Sequence, residues 1–360
     1  MMVAGLFAVT LLQVPPIPTT TAPSHAAHTP TVLRVGPGQT FDRPERALEA
    51  AHAGDTIELL ADDDHDLVIS GAALRVQTPN LTIRGRGVVV LDGRGFEYSG
   101  VGQVPRAIIQ VEASAPGVTI ANLVLRNAHN ETGNGAGIRI NAADACTILG
   151  CEITGCDMGV MSNGGRGEAK AQRIEGCRVH ANGSTRAVGL SHNLYLSGDS
   201  VTLETSRIES STTGHNLKSR ARFLAAFDCA FSGAAEREID LVDSDLTVEP
   251  GADALLERCA IEKKPDSAGN RDVIHFGRDG SCTRRGTLAL RDCVITTSYI
   301  SPVVRLSTPD TSCLFERCRI TNEQQHIATL VECAGDARAG RVRGTGNVLS
   351  PCYDASQLQP

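Results

Sequence analysis

The sequence contains no tryptophan, and aromatic residues make up only 3% of its 360 residues. Large rings therefore cannot fill its core, and burial must come from stacked aliphatic side chains and cysteine. An excess of positive charge is also missing, because the formal net charge is −7. A general nucleic-acid-binding protein shows a basic excess, so we expect no nucleic-acid partner.

Long apolar runs are absent after the first dozen residues. Residues 1–12 are predominantly apolar, a Pro/Thr-rich stretch follows, and no Lys or Arg precedes Arg34. An apolar segment this short does not cross a bilayer, so we expect no membrane span. We predict that residues 1–27 form a signal peptide or a tether. The protein is then expected to be secreted, periplasmic or attached to the cell surface.

The chain does contain a repeat, in which an apolar residue is followed three positions later by a residue that is usually small. It recurs as Ile120/Leu123, Ile148/Cys151, Ile174/Cys177, Leu203/Ser206, Ala226/Cys229, Leu256/Cys259, Leu290/Cys293 and Phe315/Cys318. Repeats of roughly 20–50 residues indicate solenoids. Short alternating runs broken by Gly and Asn indicate that the units are strands. The sequence therefore predicts an all-β fold, a single-stranded right-handed parallel β-helix.

Twelve cysteines would suggest a disulfide framework in an exported protein. Six of them share the repeat position, and we predict that these form a buried ladder of small apolar side chains. They are Cys151, Cys177, Cys229, Cys259, Cys293 and Cys318. Pairing is open among the other six: Cys146, Cys156, Cys282, Cys313, Cys333 and Cys352. No Cys/His group has the spacing of a zinc site, so we expect no metal centre.

One domain, residues 28–360, accounts for the repeat, and we expect it to be a monomer. Its first part, about 35–60, is predicted to cap the open end of the core with a short helix that Asp42 caps and Pro44 begins. Coils are predicted over about 61–335, with a loop inserted at 94–104. Residues 336–360 are predicted to form a C-terminal tail.

Several coils share one strand frame, in which a residue that points inward is followed by one that points outward. The outward residues form one predicted column: Arg139, Tyr195, Lys218, Asp240 and His275. The residues two positions earlier give a second predicted outward column that includes Asn193, Asn216 and Glu238. His192 and His215 occupy equivalent places one coil apart, and Arg220 is placed beside Lys218. Such a polar face suits an extended polymer, although polar residues on an outer strand face can also serve only strand pairing.

The segment Gly214-His215-Asn216-Leu217-Lys218-Ser219-Arg220-Ala221, followed by Glu238-Ile239-Asp240-Leu241, resembles a motif set of bacterial right-handed β-helix proteins of the pectate-lyase-like superfamily. Gly135-Ala136-Gly137-Ile138-Arg139 and His192-Asn193-Leu194-Tyr195 are similar to the same set. The resemblance covers roughly residues 130–300. It implies the β-helix fold and a polysaccharide partner that is often acidic. The superfamily also holds hydrolases, epimerases and passive binders.

A lyase that acts on a uronic-acid chain neutralises the carboxylate, removes the adjacent proton and protonates the leaving oxygen. We expect Arg139, Arg220 or a bound cation such as Ca²⁺ to neutralise the uronate carboxylate, although the sequence requires no cofactor. Lys218 is the predicted base with His215 as its rival, and Tyr195 is the predicted acid. The predicted substrate-binding residues are Arg139, His192, Asn193, Asn216, Glu238, Asp240 and His275.

Two other interpretations stay open from the sequence. Glu238 and Asp240 are two residues apart on one predicted strand face, which suits a glycoside hydrolase or an epimerase that uses this carboxylate pair. The same carboxylates also suit Ca²⁺. A solenoid of the cell envelope that binds glycans without turnover is the non-enzymatic alternative. The absence of tryptophan favours a charged ligand held by Arg, Lys and Asn over stacking on aromatic rings.

Overall fold

A computed structural model describes residues 28–62, 65–162, 170–244, 247, 249–281, 283–335 and 340–359. These residues form three parallel sheets of 12, 11 and 10 strands, which we call sheets 1, 2 and 3 in the order that each coil visits them. The predicted all-β fold, a right-handed parallel β-helix with a helix near its N-terminus, is confirmed. Among the described residues, no helix is long and apolar enough to cross a membrane.

The strands of each sheet follow one another in chain order. Sheet 1 consists of Val32–Val35, Thr56–Leu60, Thr82–Arg86, Thr119–Ala121, Thr147–Leu149, Gln172–Glu175, Ser200–Glu204, Phe223–Phe227, Ala254–Glu257, Gly286–Arg291, Thr311–Glu316 and Val342–Thr345. Sheet 2 consists of Leu67–Ser70, Val89–Asp92, Val124–Arg126, Glu152–Thr154, Arg178–His180, Arg207–Glu209, Ala230–Ser232, Ala260–Lys263, Val294–Thr297, Arg319–Asn322 and Val348–Leu349. Sheet 3 consists of Leu74–Val76, Ala107–Val111, Ala136–Ile140, Met158–Ser162, Leu194–Leu196, Leu217–Ser219, Ile239–Asp243, Ile274–Arg278, Val304–Leu306 and Val331–Cys333.

The repeat position lies at the corner between sheets 1 and 2. The residue before it adopts a positive φ in successive coils, which turns the chain within a single residue, as at Gly150, Thr205 and Arg258. The six ladder cysteines then point inward and are 1–2% exposed, so the predicted buried ladder is confirmed. All eleven described cysteines are free thiols, and Cys282 lies outside the described residues.

The two ends of the solenoid differ from the prediction in detail. The helix spans Pro44–Ala50 and buries Ala47 against the first coils, but its N-cap residue is Arg43 rather than Asp42, and no side chain caps it. At the other end, Val342–Thr345 pairs in register with Thr311–Glu316. Sheet 1 therefore continues into the segment predicted as a tail, which ends in a short 3₁₀ helix at Ala355–Gln357.

Candidate functional site

The predicted outer column lies on sheet 3. Strand pairing puts Tyr195 beside Lys218, Lys218 beside Asp240, and Asp240 beside His275. Adjacent strands of a sheet are about 4.8 Å apart, so these four side chains form a continuous line. Arg139 is in the same column, but Met161 separates it from Tyr195. The register predicted from the sequence is therefore confirmed.

Asp240 is the centre of the line and is 2% exposed. Its carboxylate lies 2.7 Å from His275 Nδ1, 3.3 Å from Lys218 Nζ, 3.4 Å from His215 Nε2 and 3.3 Å from Arg237 Nη1. Burial alone would raise the pKa of Asp240, but His215, His275 and Lys218 hold it well below its usual range. Asp240 is thus a fixed negative charge that organises its neighbours, and it is not free to exchange a proton.

Lys218 and Arg220 converge on a second carboxylate, which belongs to Asp279. One oxygen, Asp279 Oδ2, lies 3.0 Å from Lys218 Nζ and 2.7 Å from Arg220 Nη2. The two cationic side chains are 12% and 10% exposed, whereas Asp279 is 43% exposed. We call Lys218, Arg220, Asp240, His275 and Asp279 the outer charge cluster. The exposed carboxylate of Asp279 therefore forms ion pairs with two cationic side chains that are themselves nearly buried.

Lys218 does not have the protonation state expected of a resting base. Burial lowers the pKa of Lys218, but the charges of Asp240 and Asp279 outweigh burial and raise it above its usual value. The side chain is therefore a fixed cation at neutral pH. Flanking cations do not lower the pKa of Lys218, since its two nearest charged partners are carboxylates.

His192 and His215 stack with their ring centroids 5.0 Å apart and are both buried. The backbone N–H of His215 donates to Nδ1 of His192, and the backbone N–H of Arg237 donates to Nδ1 of His215. Burial lowers the pKa of His215 to about 4 and holds that of His192 well below its usual value. Both rings are then neutral and carry their proton on Nε2. His215 has no free lone pair with which to act as a base.

The predicted second outward column points inward instead. Asn182, Asn193, Asn216 and Glu238 are each 0% exposed. Asn182 Nδ2 donates to Asn193 Oδ1, Asn193 Nδ2 to Asn216 Oδ1, and Asn216 Nδ2 to Glu238 Oε2. We call these four residues the inner amide ladder. Asn193, Asn216 and Glu238 directly precede their strands, and Asn182 follows the strand Arg178–His180. All four lie outside the strands, where the chain turns, so strand alternation does not apply. Asn193, Asn216 and Glu238 therefore have no surface with which to contact a substrate.

Glu238 and Asp240 do not form an accessible carboxylate pair. Glu238 Oε1 accepts a hydrogen bond from the backbone N–H of Ala234, and burial raises the pKa of Glu238 to about 7. Asp240 lies on the outer face with four cationic or imidazole neighbours. The two carboxylates have opposite surroundings, so the predicted shared strand face is wrong for this pair.

Tyr195 lies between the charge cluster and an apolar patch. The guanidinium of Arg220 is 5.1 Å from its ring centroid, and His192 meets the ring edge-on at 5.5 Å. On its other side, the ring packs with Met161 against Ala107, Ala136 and Met158. The Tyr195 hydroxyl has no hydrogen-bond partner in the described part of the chain. It is therefore a free polar group on this face.

Arg139 belongs to a different part of sheet 3. It lines a cleft of about 260 Å³ with Arg75, Arg106 and Glu112, under the loop predicted at 94–104. Its Nε donates to Asn141 Oδ1 at 3.0 Å, and burial lowers its pKa to about 10. Two strands, Met158–Ser162 and Leu194–Leu196, separate it from Lys218. The structure therefore does not bring Arg139 into the outer charge cluster.

Two residues of the site were missed in the sequence. Arg237 occupies the place of His192 and His215 in the next coil, so extending the same alignment by one coil would have found it. It donates to Asp272 at 2.6 Å as well as contacting Asp240. Asp279 follows the strand Ile274–Arg278 in a loop, where no repeat applies. Only the three-dimensional structure identifies it.

Comparison with known proteins finds solved structures with a similar fold but does not assign the chain to a family. No family model matches the chain, and no curated protein matches it. A solved structure of an alginate lyase from Paenibacillus sp. str. FPU-7 is 15% identical, with a TM-score of 0.53, over 92% of this chain and 99% of that chain. The A-module of the mannuronan C-5 epimerase AlgE4 from Azotobacter vinelandii is 13% identical, with a TM-score of 0.50, over 88% and 91%.

The ORF18 protein of Geobacillus virus E2 is 11% identical, with a TM-score of 0.56. The match covers 90% of this chain and 61% of that chain. At these identities the similarity establishes the parallel β-helix fold and leaves the activity to be argued from the site.

Proposed function

We propose that this protein binds an acidic polysaccharide across the outer face of sheet 3 and cleaves it by β-elimination. The observation that carries the proposal is the contact of Lys218 and Arg220 with one exposed carboxylate oxygen of Asp279. A cation pair that holds an internal carboxylate has the chemistry needed to hold the carboxylate of a uronic acid. A uronate enters this position by displacing Asp279.

Neutralisation is the first task of the reaction. A uronate carboxylate bound to Lys218 and Arg220 loses much of its negative charge, which acidifies the hydrogen on the adjacent carbon. Lys218 keeps its proton during this step, because Asp240 remains 3.3 Å from Nζ. Asp240, which is itself held by Arg237 and His275, keeps the lysine in place and does not contact the polymer directly.

Proton transfer is assigned to Tyr195. Its hydroxyl is free in the described part of the chain, and it lies one strand from Lys218. The Arg220 guanidinium over its ring stabilises negative charge on the phenol oxygen. As the phenolate, Tyr195 takes the hydrogen adjacent to the carboxylate. The released electron pair forms the carbon–carbon double bond, the glycosidic C–O bond breaks, and the phenol returns its proton to the leaving oxygen.

The test is to incubate the purified protein with alginate, mannuronan and pectate and to measure the ultraviolet absorbance of unsaturated uronate ends. We expect one of these polymers to give the product, and Tyr195→Phe to lower the rate by about 10²–10⁴-fold while the polymer still binds. Tyr299→Phe is the control, since the Tyr299 hydroxyl bonds the carbonyl of Pro265 away from this face.

Other outcomes identify the alternative activities. Uptake of solvent deuterium without a double bond would indicate epimerisation, which shares the first proton transfer. New reducing ends without unsaturation would indicate hydrolysis. Binding without any product would indicate a glycan-binding solenoid, and no binding to any acidic polymer would contradict the proposal.

Three further properties stay predictions. Export is expected because acidic polysaccharides of this kind lie outside the cytoplasm, but residues 1–27 are outside the described residues. Fractionation of the native host tests it. A monomer is expected and is tested by light scattering. The role of Ca²⁺ is tested by comparing turnover with and without a chelator.

A further inference from the structure

A second group of ligating side chains lies far from sheet 3, at the N-terminal end of the solenoid. His28 precedes the first strand, Val32–Val35, while His52 and Asp55 lie between the helix Pro44–Ala50 and the strand Thr56–Leu60. The carboxylate and the two imidazoles each offer one ligand atom, and these atoms all lie within 4.8 Å of one another. The polysaccharide site uses none of the three.

Asp55 has the surroundings of a carboxylate that is held in a fixed orientation. It is 1% exposed, and its Oδ1 accepts hydrogen bonds from the backbone N–H and the hydroxyl of Thr31, at 2.7 and 3.1 Å. The backbone N–H of His52 donates to Oδ2 at 2.8 Å. Such neighbours orient a metal-binding carboxylate. A cation bound next to Asp55 would stabilise the negative charge of this buried carboxylate.

The two imidazoles approach that carboxylate from the solvent side. His28 Nε2 is 2.7 Å from Asp55 Oδ1, and His52 Nδ1 is 3.9 Å from Asp55 Oδ2. The rings are 4.7 Å apart between centroids, and the side chains of His28 and His52 are 37% and 69% exposed. In the described part of the chain, neither ring nitrogen pairs with any carboxylate other than Asp55.

We infer that His28, His52 and Asp55 bind a divalent transition-metal ion of the Zn²⁺ type, with water as the fourth ligand. Zinc bonds of about 2.0–2.2 Å in a tetrahedron put neighbouring ligand atoms about 3.3 Å apart. The three ligand atoms already lie within 4.8 Å of one another, so side-chain rotations of the two solvent-facing imidazoles complete the site. Two imidazoles and a carboxylate favour Zn²⁺, Ni²⁺ or Cu²⁺ over Mg²⁺ or Ca²⁺.

Such an ion would join two segments that are distant in the sequence. His28 and Asp55 are 27 residues apart, and the chain between them contains the first strand and the capping helix. A metal bridge therefore closes this loop and stabilises the cap in the folded state only. Sequence analysis does not predict this site, because the two histidines are not spaced like a zinc motif.

The test is calorimetric titration of the full, tag-free protein with Zn²⁺ at pH 7.5, together with the melting temperature in Zn²⁺ and in chelator. We expect one bound ion, a higher melting temperature with Zn²⁺, and at least about tenfold weaker binding in His28→Ala and in His52→Ala. Thr31→Val, which removes one hydrogen bond to Asp55, is expected to weaken binding by about tenfold as well.

His129→Ala is the matched control. His129 is 50% exposed and lies 3.0 Å from Asp157, a buried carboxylate that also accepts two backbone N–H groups, but the described residues form no three-ligand group there. Its loss should leave Zn²⁺ binding unchanged. Circular dichroism without metal checks that each variant folds. Absence of binding, or equal binding by the folded His28→Ala/His52→Ala double variant, would overturn the inference.

Discussion

Two polar columns run along the same coils of the solenoid, and their surroundings are opposite. The inner amide ladder is fully buried. The side-chain amides of Asn193 and Asn216 each donate one hydrogen bond to the next side chain of the ladder and one to a backbone carbonyl. The side chains of the outer charge cluster are also linked to one another, but the last of them, Asp279, is a carboxylate that is exposed to solvent. A repeated polar residue therefore indicates a structural role when all its hydrogen-bond partners are buried groups of the protein. It indicates a binding site when one partner is an exposed group that a ligand can displace.

The largest effect on stability should come from breaking the inner amide ladder. Asn216→Ala removes the buried acceptor of one Asn193 Nδ2 hydrogen and of the Ser211 backbone N–H, and it removes the donor to Glu238 Oε2. Unpaired buried polar groups cost about 1–3 kcal/mol each, so we expect unfolding to become easier by about 3 kcal/mol or more. Chemical denaturation measures this. An unchanged midpoint would remove the distinction between the two columns.

A pH-dependent effect should follow from Glu238. The pKa of Glu238 is raised to about 7 from an ordinary 4.5. Its contribution to stability is complete below about pH 4.5 and is lost as the pH rises through 7. Glu238→Gln should remove this loss, which is at most about 3 kcal/mol.

The measurement is the free energy of unfolding of both proteins from pH 5 to 8, and the difference between them isolates Glu238. This subtraction is needed because His215 acts in the opposite direction. With its pKa lowered to about 4, His215 contributes stability above about pH 6.5 that is lost as the pH falls. Parallel pH profiles for the two proteins would show that Glu238 keeps its ordinary pKa.

In the outer charge cluster, Asp279→Asn should strengthen binding of an anionic polymer rather than weaken the fold. The variant removes the internal competitor for Lys218 and Arg220, and we expect about tenfold tighter binding. Stability should change by less than about 1 kcal/mol, because Asp279 is exposed. Asp292→Asn is the control, since Asp292 is an exposed partner of Arg317 beside sheet 1. Weaker binding by Asp279→Asn would mean that Asp279 itself contacts the polymer.

The smallest effect concerns the cysteine ladder. Cys259→Ala removes one buried sulfur between Cys229 and Cys293 and should cost about 1 kcal/mol. A thiol reagent should leave the six ladder cysteines untouched in the native protein and label them in denaturant. Labelling of Cys259 in the native state, detected by mass spectrometry, would contradict a closed core.

Much of this architecture was predictable from the sequence, because the repeated small residue marks the same corner in each coil and so sets the register between coils. The ladder cysteines, the alignment of Tyr195, Lys218 and Asp240 on three successive strands, and the capping helix all follow from periodic positions. The errors arise where the period fails. Asn193 lies at a corner and points inward, Asp279 lies in a loop, and the charge state of Lys218 depends on both surrounding carboxylates.

The measurement that tests the account most directly is the affinity of Arg220→Gln for an oligosaccharide of the bound uronate polymer, compared with the wild type. Arg222→Gln is the control, because Arg222 is an exposed arginine only two residues away. We predict a loss of about ten- to hundredfold for Arg220→Gln, no loss for Arg222→Gln, and equal melting temperatures. Equal affinity of Arg220→Gln and the wild type would show that the outer charge cluster does not bind the polymer.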